Sequence, residues 1–296
     1  MRRRSLAHRV LIAAGATLLA LFWFGPFLLV GIGSVIPEGN LLSFPPNWFA
    51  SPPFIGNYRY IFTGEIPQTY LERGAIRSMI SQEVRLVPRA IVNSVLIATA
   101  VMFTSVTLGS LAAYAYARLR FPGRVISFNF VLLSRLIPTV ALAIPYYAIV
   151  LRLGLLNTHW ALIAIYTVLT LPFTVLVLTL YFRTIPPEID EAAQVEGASP
   201  LQVLRHITLP LSLPSLVGTG LFTFMLAYSE FLFALLISTS ARTRTLPVTL
   251  GTLTTNPDVA WGLMMASIVV GSLPTLLLVF PVWRFMVRGL LRGALQ

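Results

Sequence analysis

Two charged side chains stand alone in otherwise apolar stretches of the sequence. Arg135 interrupts the stretch 125–151, and Glu230 interrupts the stretch 209–237. An ionisable group inside a membrane-spanning segment is costly unless it pairs with another group or lines a polar cavity. The two residues are therefore candidates either for cavity-lining groups or for an ion pair that holds helices together, and their spacing leaves both interpretations open.

A second concentration of charge lies in the segment 187–208, here called the knuckle, where four of the ten acidic residues fall within nine positions. Pro187 is expected to open a short helix, whose positive N-terminal end favours acids in its first turn. Gly197 is expected to end this helix in a left-handed conformation. Ser199 should then cap a second helix, with Gln202 completing a capping box. The pattern predicts two short helices that meet at a glycine.

The residue types on which enzymes depend are scarce. His8, His159 and His206 lie far apart in the sequence, and no His, Asp or Glu cluster has the spacing of metal ligands. The chain has no cysteine, and all 21 of its Lys and Arg residues are arginine. It therefore contains neither a thiol nucleophile nor the Gly-x-x-x-x-Gly-Lys-[Ser/Thr] loop that holds ATP phosphates. We expect no catalytic site in this chain.

The composition is that of a membrane protein. Of 296 residues, 56% are hydrophobic and only 10% are charged, against about 45–50% and about 25% in soluble domains. This excludes a water-soluble enzyme. A net charge of +11 indicates arginine retained in cytosolic loops of a polytopic protein rather than binding to nucleic acid.

Six apolar stretches reach the length of about 20 residues that crosses a bilayer as a helix. They predict a single transmembrane domain of residues 1–296 with spans at approximately 10–36, 89–117, 125–151, 157–182, 209–237 and 260–284. Prolines within these stretches favour bent or broken helices around a cavity. The segment 38–88, rich in proline and aromatic residues, is predicted to be an extracytoplasmic loop that serves either as a partner surface or as a lid.

The distribution of arginine predicts the orientation. With six spans, one membrane face carries 12 arginines outside the segment 38–89 and the other carries three, namely Arg152, Arg242 and Arg244. Because short cytosolic loops retain positive charge, both termini and the knuckle are predicted to be cytosolic. The segment 238–259 is then a second extracytoplasmic loop.

The knuckle and the residues after it resemble the EAA loop of membrane subunits in binding-protein-dependent ABC importers. That motif reads Glu-Ala-Ala, three residues, Gly, nine residues, Ile, one residue, Leu-Pro. The matching positions are Glu191, Ala192, Ala193, Gly197, Ile207, Leu209 and Pro210. The segments 112–123 and 287–290 are similar to the carbohydrate importers, in particular to the second membrane subunit of maltose- and trehalose-type systems. Tyr228-Ser229 departs from the aromatic-Asn that this group has before Glu230.

The resemblance implies an all-α polytopic membrane protein with six transmembrane helices, the type I ABC importer membrane-domain fold and cytosolic EAA coupling helices. It also implies three kinds of partner besides the bilayer of a bacterial or archaeal cytoplasmic (inner) membrane. These are a second, different membrane subunit, two cytosolic ATPase subunits and an external solute-binding protein. No cofactor is implied in this chain, because ATP and Mg belong to the partner ATPase. The alanines of the motif are expected to leave one helix surface bare for a groove of that ATPase.

One further segment is identified by its position. Thr254, Thr255, Asn256 and Pro257 resemble the loop with which such subunits contact the binding protein. The alternative is an ordinary Asn-Pro turn.

The solute is left open by the resemblance. A di- or oligosaccharide such as maltose or trehalose is favoured, and a sugar phosphate or a polyol is the alternative. A self-sufficient carrier driven by an ion gradient is a competing hypothesis from another class. It requires ion-coordinating acids at mid-membrane, and Glu230 is the sole candidate.

Overall fold

The structure, a computed structural model, describes residues 6–49, 52–67, 70, 82–255 and 260–293, and every regular element in these ranges is helical. Its α-helices are α1 (Leu6–Gly33), α2 (Glu38–Leu41), α3 (Gly56–Thr63), α4 (Val87–Arg118), α5 (Arg124–Leu133), α6 (Thr139–Arg152), α7 (His159–Phe182), α8 (Pro187–Val195), α9 (Pro200–Val203), α10 (Leu209–Leu211), α11 (Leu213–Tyr228), α12 (Leu232–Ile237), α13 (Leu246–Thr254) and α14 (Trp261–Gly293). Gln82–Leu86 and Ser134–Leu136 are 3₁₀ turns, and Leu204–Thr208 is a π turn.

Four stretches of helix are long and apolar enough to cross a membrane. They are Val10–Gly33, Glu83–Arg118, His159–Phe182 and Trp261–Phe280. Two further candidates are helix pairs with a sharp bend, Arg124–Leu136 with Thr139–Arg152 at 98° and Pro200–Leu211 with Leu213–Tyr228 at 82°. The described residues therefore contain four candidate spans, or up to six if each bent pair crosses once.

Proline accounts for both bends. Pro138 precedes α6, and Ile137 before it is extended at φ −70° and ψ 122°, which is the conformation that a residue before proline prefers. Pro210 and Pro214 flank the second bend, where each removes a backbone hydrogen-bond donor. The sequence-based prediction of bent or broken spans is confirmed at these two places.

The chain divides into two compact units. The first comprises Met1–Pro88 with Leu250–Ser272, and the second comprises Arg89–Thr249 with Leu273–Gln296. Each is described by itself below.

In the first unit, polar side chains organise the described part of the predicted loop 38–88. The carboxylate of Glu38 accepts hydrogen bonds from the backbone N–H groups of Trp261 (2.9 Å) and Gly262 (2.8 Å), so it caps the positive end of α14. Asn57 is buried, donates to the Ser34 carbonyl and accepts from the Tyr70 hydroxyl at 2.7 Å. Burial, reinforced by the charge of Glu38, raises the pKa of Tyr70, which keeps this donor protonated.

In the second unit, α4, α7 and α11 pack closely through small and hydroxyl-bearing residues. A Cβ on Gly109 of α4 would lie 2.5 Å from Thr174 Cγ2 of α7, so only glycine permits this approach. Hydroxyl groups of Ser105 and Thr170 meet at 2.8 Å, and those of Thr174 and Thr223 meet at 3.3 Å. Such contacts are typical of packed membrane helices. Lipid tails are as apolar as the side chains, so helices associate through close packing and interhelical hydrogen bonds rather than through the hydrophobic effect.

Amide side chains fix the turn before α7 and the segment after α12. Asn157 adopts a left-handed conformation (φ 58°), and its Oδ1 accepts from the Thr243 hydroxyl at 2.6 Å. Asn93 Nδ2 donates to the carbonyls of Arg242 and Arg244 at 3.1 and 3.0 Å. The described part of the predicted loop 238–259 is therefore held by hydrogen bonds at its start.

Candidate functional site

The first helix of the knuckle, α8, begins and ends as the sequence predicts. Pro187 occupies its first turn together with Glu188 and Asp190. At its end Gly197 has φ +93°, and two backbone hydrogen bonds close the turn, from Gly197 N–H to the Gln194 carbonyl and from Ala198 N–H to the Ala193 carbonyl, both at 3.0 Å. These two bonds form a Schellman motif, which requires a left-handed residue.

The second helix, α9, has the predicted capping box. The Ser199 hydroxyl accepts from the Gln202 N–H at 3.4 Å, and Gln202 Oε1 accepts from the Ser199 N–H at 2.7 Å. The chain then continues through the π turn into α10. The local conformation of the knuckle thus follows from short-range sequence signals.

A buried ion pair attaches the knuckle to α4. Arg118 Nε lies 2.7 Å from Asp190 Oδ2, and the two side chains are only 10% and 4% exposed. Arg118 Nη2 also donates to the carbonyl of Ile185 at 2.8 Å, immediately before α8. The other oxygen, Asp190 Oδ1, is buried and makes no hydrogen bond, so its charge depends on Arg118. Sequence reasoning missed this pair, because its members are 72 positions apart.

An apolar cluster attaches the same segment to the ends of α4 and α7. Its buried members are Ala113, Tyr114, Leu178, Phe182, Val203 and Leu204. Among the partly buried residues that pack against it are Ala193, Ile207 and Leu209 of the motif. The expectation that both alanines leave a bare outer surface is therefore half wrong, since Ala193 packs inward against the chain's own core.

The remaining motif residues form part of an exposed face. Glu191, Ala192 and Pro210 are exposed. Exposed apolar side chains lie beside the acids, with Ile189 at 40% and Val195 at 89% exposure. This face therefore combines negative charge with apolar surface.

A notch interrupts this face. Its volume is about 410 Å³, and it is lined by Ala193, Glu196, Gly197, Ala198, Gln202, Val203, His206 and Ile207. The backbone turn at Gly197 therefore borders a concave surface between the two short helices, next to the acidic side chain of Glu196.

A separate cavity of about 310 Å³ lies where helices are interrupted. It is lined by residues from the turn between α5 and α6, from α6, from the middle of α7 and from the end of α11, including Arg135 and Glu230. Arg135 is exposed and its guanidinium lies 5.9 Å from the centre of the Phe173 ring. The two charges that the sequence singles out therefore share one cavity.

Glu230 is engaged with backbone rather than with Arg135. Its Oε1 accepts from the Phe233 N–H at 3.0 Å and its Oε2 from the Ala234 N–H at 3.2 Å, so it caps α12. The hydroxyl of Tyr166, which also lines the cavity, lies beside this carboxylate. The interpretation that Arg135 and Glu230 form an ion pair is wrong in this structure. The structure does show ion pairs between Arg118 and Asp190 and between Arg59 and Glu65.

The other predicted site residues lie outside this arrangement. Thr254 and Thr255 are exposed at the end of α13, and their hydroxyls donate to the carbonyls of Gly251 and Thr252. Asn256 and Pro257 lie outside the described residues. The predicted contact loop therefore stays a prediction.

The histidines do not converge. His159 Nε2 lies 3.1 Å from Asn93 Oδ1, and His206 Nδ1 lies 3.0 Å from the Gln202 carbonyl. In the part of the chain that the structure describes, no three His, Asp or Glu residues are placed to hold a metal ion. These contacts serve local structure.

Comparison with known proteins gives consistent matches. Residues 105–292 match the family model described as binding-protein-dependent transport system inner membrane component. The trehalose/maltose transport system permease protein MalG of Thermococcus litoralis is 32% identical over 295 residues, which cover 99% of each chain. The trehalose transport system permease protein SugB of Mycobacterium tuberculosis is 29% identical over 287 residues, which cover 96% of this chain and 94% of the relative.

A solved structure shares the fold. A chain of the bacterial ABC transporter involved in the import of the acidic polysaccharide alginate superposes with a TM-score of 0.73 at 20% identity, covering 96% of this chain and 99% of that one. The match extends over both compact units, so it bears on the whole described chain.

Proposed function

The chain belongs to the family of binding-protein-dependent transport system inner membrane components, and from that premise we propose that it is the permease subunit of an ATP-driven sugar importer. It forms half of the translocation pathway. A di- or oligosaccharide such as trehalose or maltose is the favoured solute, because relatives aligned over nearly the whole chain carry those names. A sugar phosphate or a polyol is the alternative solute.

One observation carries the proposal beyond the family: the knuckle is both exposed and rigidly attached. Glu191 is free on the outer face, whereas Asp190 beside it is buried against Arg118. A partner that binds the outer face and moves will therefore carry α4 and α7 with it. Such rigid-body motion is how a two-state partner drives alternating access.

The proposed partner at this face is the cytosolic ATPase, which binds ATP and Mg. Glu191 offers a carboxylate for a charge-assisted contact with a basic group of that subunit. Exposed Ile189, Val195 and Leu201 supply apolar contact area around it. The assembly contains a second, different membrane subunit, two ATPase subunits and an external solute-binding protein.

The proposed orientation places both termini and the knuckle on the cytosolic side of a bacterial or archaeal inner membrane. Ser199 of the knuckle and Ser240, which follows α12, then face opposite sides. Because the chain has no native cysteine, single cysteines at these positions test the orientation directly. An impermeant thiol reagent added outside should label position 240 and not position 199, and the reverse pattern would contradict the model.

The function itself is tested by reconstituting the five-subunit assembly in vesicles with its binding protein outside. Uptake of trehalose or maltose should require internal ATP and Mg and should persist when ion gradients are collapsed. Glu191→Lys should abolish ATPase copurification and uptake, because it reverses the charge of an exposed contact group. Glu65→Lys is the control: Glu65 is also exposed, and its surface ion pair with Arg59 contributes little, so ATPase attachment should be unchanged.

The competing hypothesis predicts different results. An ion-driven carrier would take up solute without the ATPase and would lose uptake when the gradient collapses. It would also need several acids around the cavity, whereas Glu230 is the one acid among the lining residues. Wild-type uptake by Glu191→Lys would remove the coupling role from the knuckle.

A further inference from the structure

The cavity around Arg135 and Glu230 has the size and surroundings of a ligand site. Its volume of about 310 Å³ lies at the lower end of the range of roughly 300–1,000 Å³ for small-molecule pockets. Two of its walls are formed where helices are interrupted, at the 3₁₀ turn Ser134–Leu136 before α6 and at the break between α11 and α12. Irregular backbone at membrane depth occurs where it lines a polar cavity, and broken helices form the solute sites of many transporters.

Arg135 has unused hydrogen-bonding capacity. Within the described residues its guanidinium contacts the face of Phe173 and forms neither an ion pair nor a hydrogen bond. Its neighbours Leu136 and Val140 are exposed apolar side chains, and the bent helix pair to which they belong is a candidate membrane span. A guanidinium is costly there unless something polar occupies its donors.

Glu230 also has capacity to spare. Each of its oxygens accepts one backbone N–H of α12, and a carboxylate offers about four lone-pair positions in all. Each oxygen can therefore accept one more hydrogen bond from inside the cavity. The half-buried ring of Tyr146, packed against Phe233, adds an aromatic wall.

This combination suits the class of solute that the proposed function names. An apolar molecule would leave both charged side chains without a hydrogen-bonding partner. A cation would be repelled by Arg135, and a simple anion would be repelled by Glu230. A polyhydroxylated ring carries donors and acceptors on the same edge and apolar C–H groups on its faces. It can therefore satisfy Arg135, Glu230 and Tyr146 together.

We infer that this cavity is a solute subsite contributed by this chain, in which Arg135 donates to, and Glu230 accepts from, the hydroxyl groups of one sugar ring. The inference rests on the proposed function and adds to it the residues that contact the solute. It also gives Arg135 its missing partner, since the solute oxygens occupy the guanidinium during passage.

A single cysteine placed in the cavity tests the inference. Thr139 lines the cavity at the start of α6, so we take Thr139→Cys in the complete assembly in lipid nanodiscs, where both faces are accessible. Binding protein, ATP and vanadate are present, and trehalose or maltose is varied. Labelling by a small methanethiosulfonate reagent should slow as sugar is added, about tenfold at ten times the dissociation constant. Thr239→Cys, exposed and outside the cavity, should be labelled at a constant rate.

Side-chain variants then test the assigned contacts. Arg135→Gln and Glu230→Gln, each combined with Thr139→Cys, should raise the sugar concentration needed for protection at least about tenfold, since a hydrogen bond to a charged group contributes roughly 1.5–3 kcal/mol. Labelling without sugar should stay unchanged, which a merely structural role would not predict. Arg152→Gln, at the exposed end of α6, is the matched control and should leave protection intact.

The possible failures are distinct. If the wild-type assembly takes up no sugar, the proposed function fails. If it takes up sugar but trehalose and maltose do not slow labelling of Thr139→Cys, the subsite inference alone is overturned.

Discussion

The knuckle and the cavity lie in the same compact unit, but their charged side chains are paired in one region and unpaired with each other in the other. At the knuckle, Arg118 and Asp190 are almost fully buried and meet at 2.7 Å. In the cavity, Arg135 and Glu230 line one space without forming an ion pair, and Arg135 stays exposed. A surface that transmits motion needs contacts that are complete in advance, whereas a surface that passes solute needs polar groups that are still available.

The backbone also differs between the knuckle and the cavity. The knuckle uses standard helix ends, with a Schellman turn at Gly197 and a capping box at Ser199, and it packs on an apolar cluster that includes Phe182 and Leu204. The cavity lies at interruptions, where Pro138 follows a 3₁₀ turn and Glu230 caps a new helix. Regular ends favour stiffness, and interruptions leave space and polar groups.

Breaking the ion pair of the knuckle should give the largest effect. Asp190→Ala leaves Arg118 buried without a counter-charge, which typically costs about 3–5 kcal/mol. We expect a lower thermal unfolding midpoint of the purified assembly and loss of the bound ATPase. Arg118→Lys, which keeps the charge but loses the geometry of the contact with Ile185, should lie between wild type and Asp190→Ala. An unfolding midpoint for Asp190→Ala equal to wild type would show that the pair does not anchor the knuckle.

Double-mutant cycles should separate the two regions next. For Arg118→Ala with Asp190→Ala, the effects on the free energy of unfolding should be non-additive by about 0.5–3 kcal/mol, as for residues in direct contact. For Arg135→Gln with Glu230→Gln, the non-additivity should be smaller than for Arg118 with Asp190, because no ion pair joins these side chains in the structure. Strong coupling in the second cycle would mean that the cavity is held shut by its own charges, and the contrast between the regions would disappear.

These regions also differ in how far the sequence could predict them. Helix ends depend on residues three to five positions apart, so Pro187, Gly197 and Ser199 were enough to predict the fold of the knuckle. Its attachment could not be predicted, because Asp190 meets a residue 72 positions earlier and nothing local distinguishes it from exposed Glu191. In the same way, it is the packing of α8 against the apolar cluster that turns Ala193 inward and leaves Ala192 outward.

The cavity was predictable in part. Isolated charges in apolar stretches correctly indicated Arg135 and Glu230 as polar groups of interest, and proline indicated the bend between α5 and α6. The helix break at Glu230 was missed, although an acid three residues before the Phe233 N–H is a capping signal that could have located it. Whether Arg135 and Glu230 form an ion pair depends on the relative positions of the bent helices that carry them. No local sequence pattern encodes those positions.

A third prediction concerns the joint of the knuckle. Gly197→Val should cost about 1–2 kcal/mol, because a residue with a side chain is strained at φ +93°. A Cβ at this position meets nothing else in the chain within 4 Å, so the cost is local backbone strain and not a clash with neighbouring residues. The matched control is Gly154→Val, at φ +67° and equally open. Both variants should be destabilised to a similar degree in thermal unfolding, but only Gly197→Val should lose uptake. Equal loss of uptake in the two would assign the effect to general instability and not to the joint.

The smallest effect on stability should come from removing the charge at the cavity while keeping the size and shape of the side chain. Glu230→Gln leaves one oxygen to accept from the N–H groups of α12, because its NH₂ group cannot accept, so it loses one capping hydrogen bond and the attraction of a negative charge to the positive helix end. Losing such a cap typically costs about 1 kcal/mol. The thermal unfolding midpoint should therefore fall only slightly, while sugar protection of Thr139→Cys falls strongly. Glu38→Gln is the matched comparison, since Glu38 caps α14 through two N–H groups in the same way but lies outside the residues that line the cavity. It should show the same small loss of stability with sugar protection unchanged.

If Glu230→Gln were instead as destabilising as Asp190→Ala, its charge would serve the fold in the way that the knuckle pair does, and the distinction between a transmitting region and a passage region would not hold.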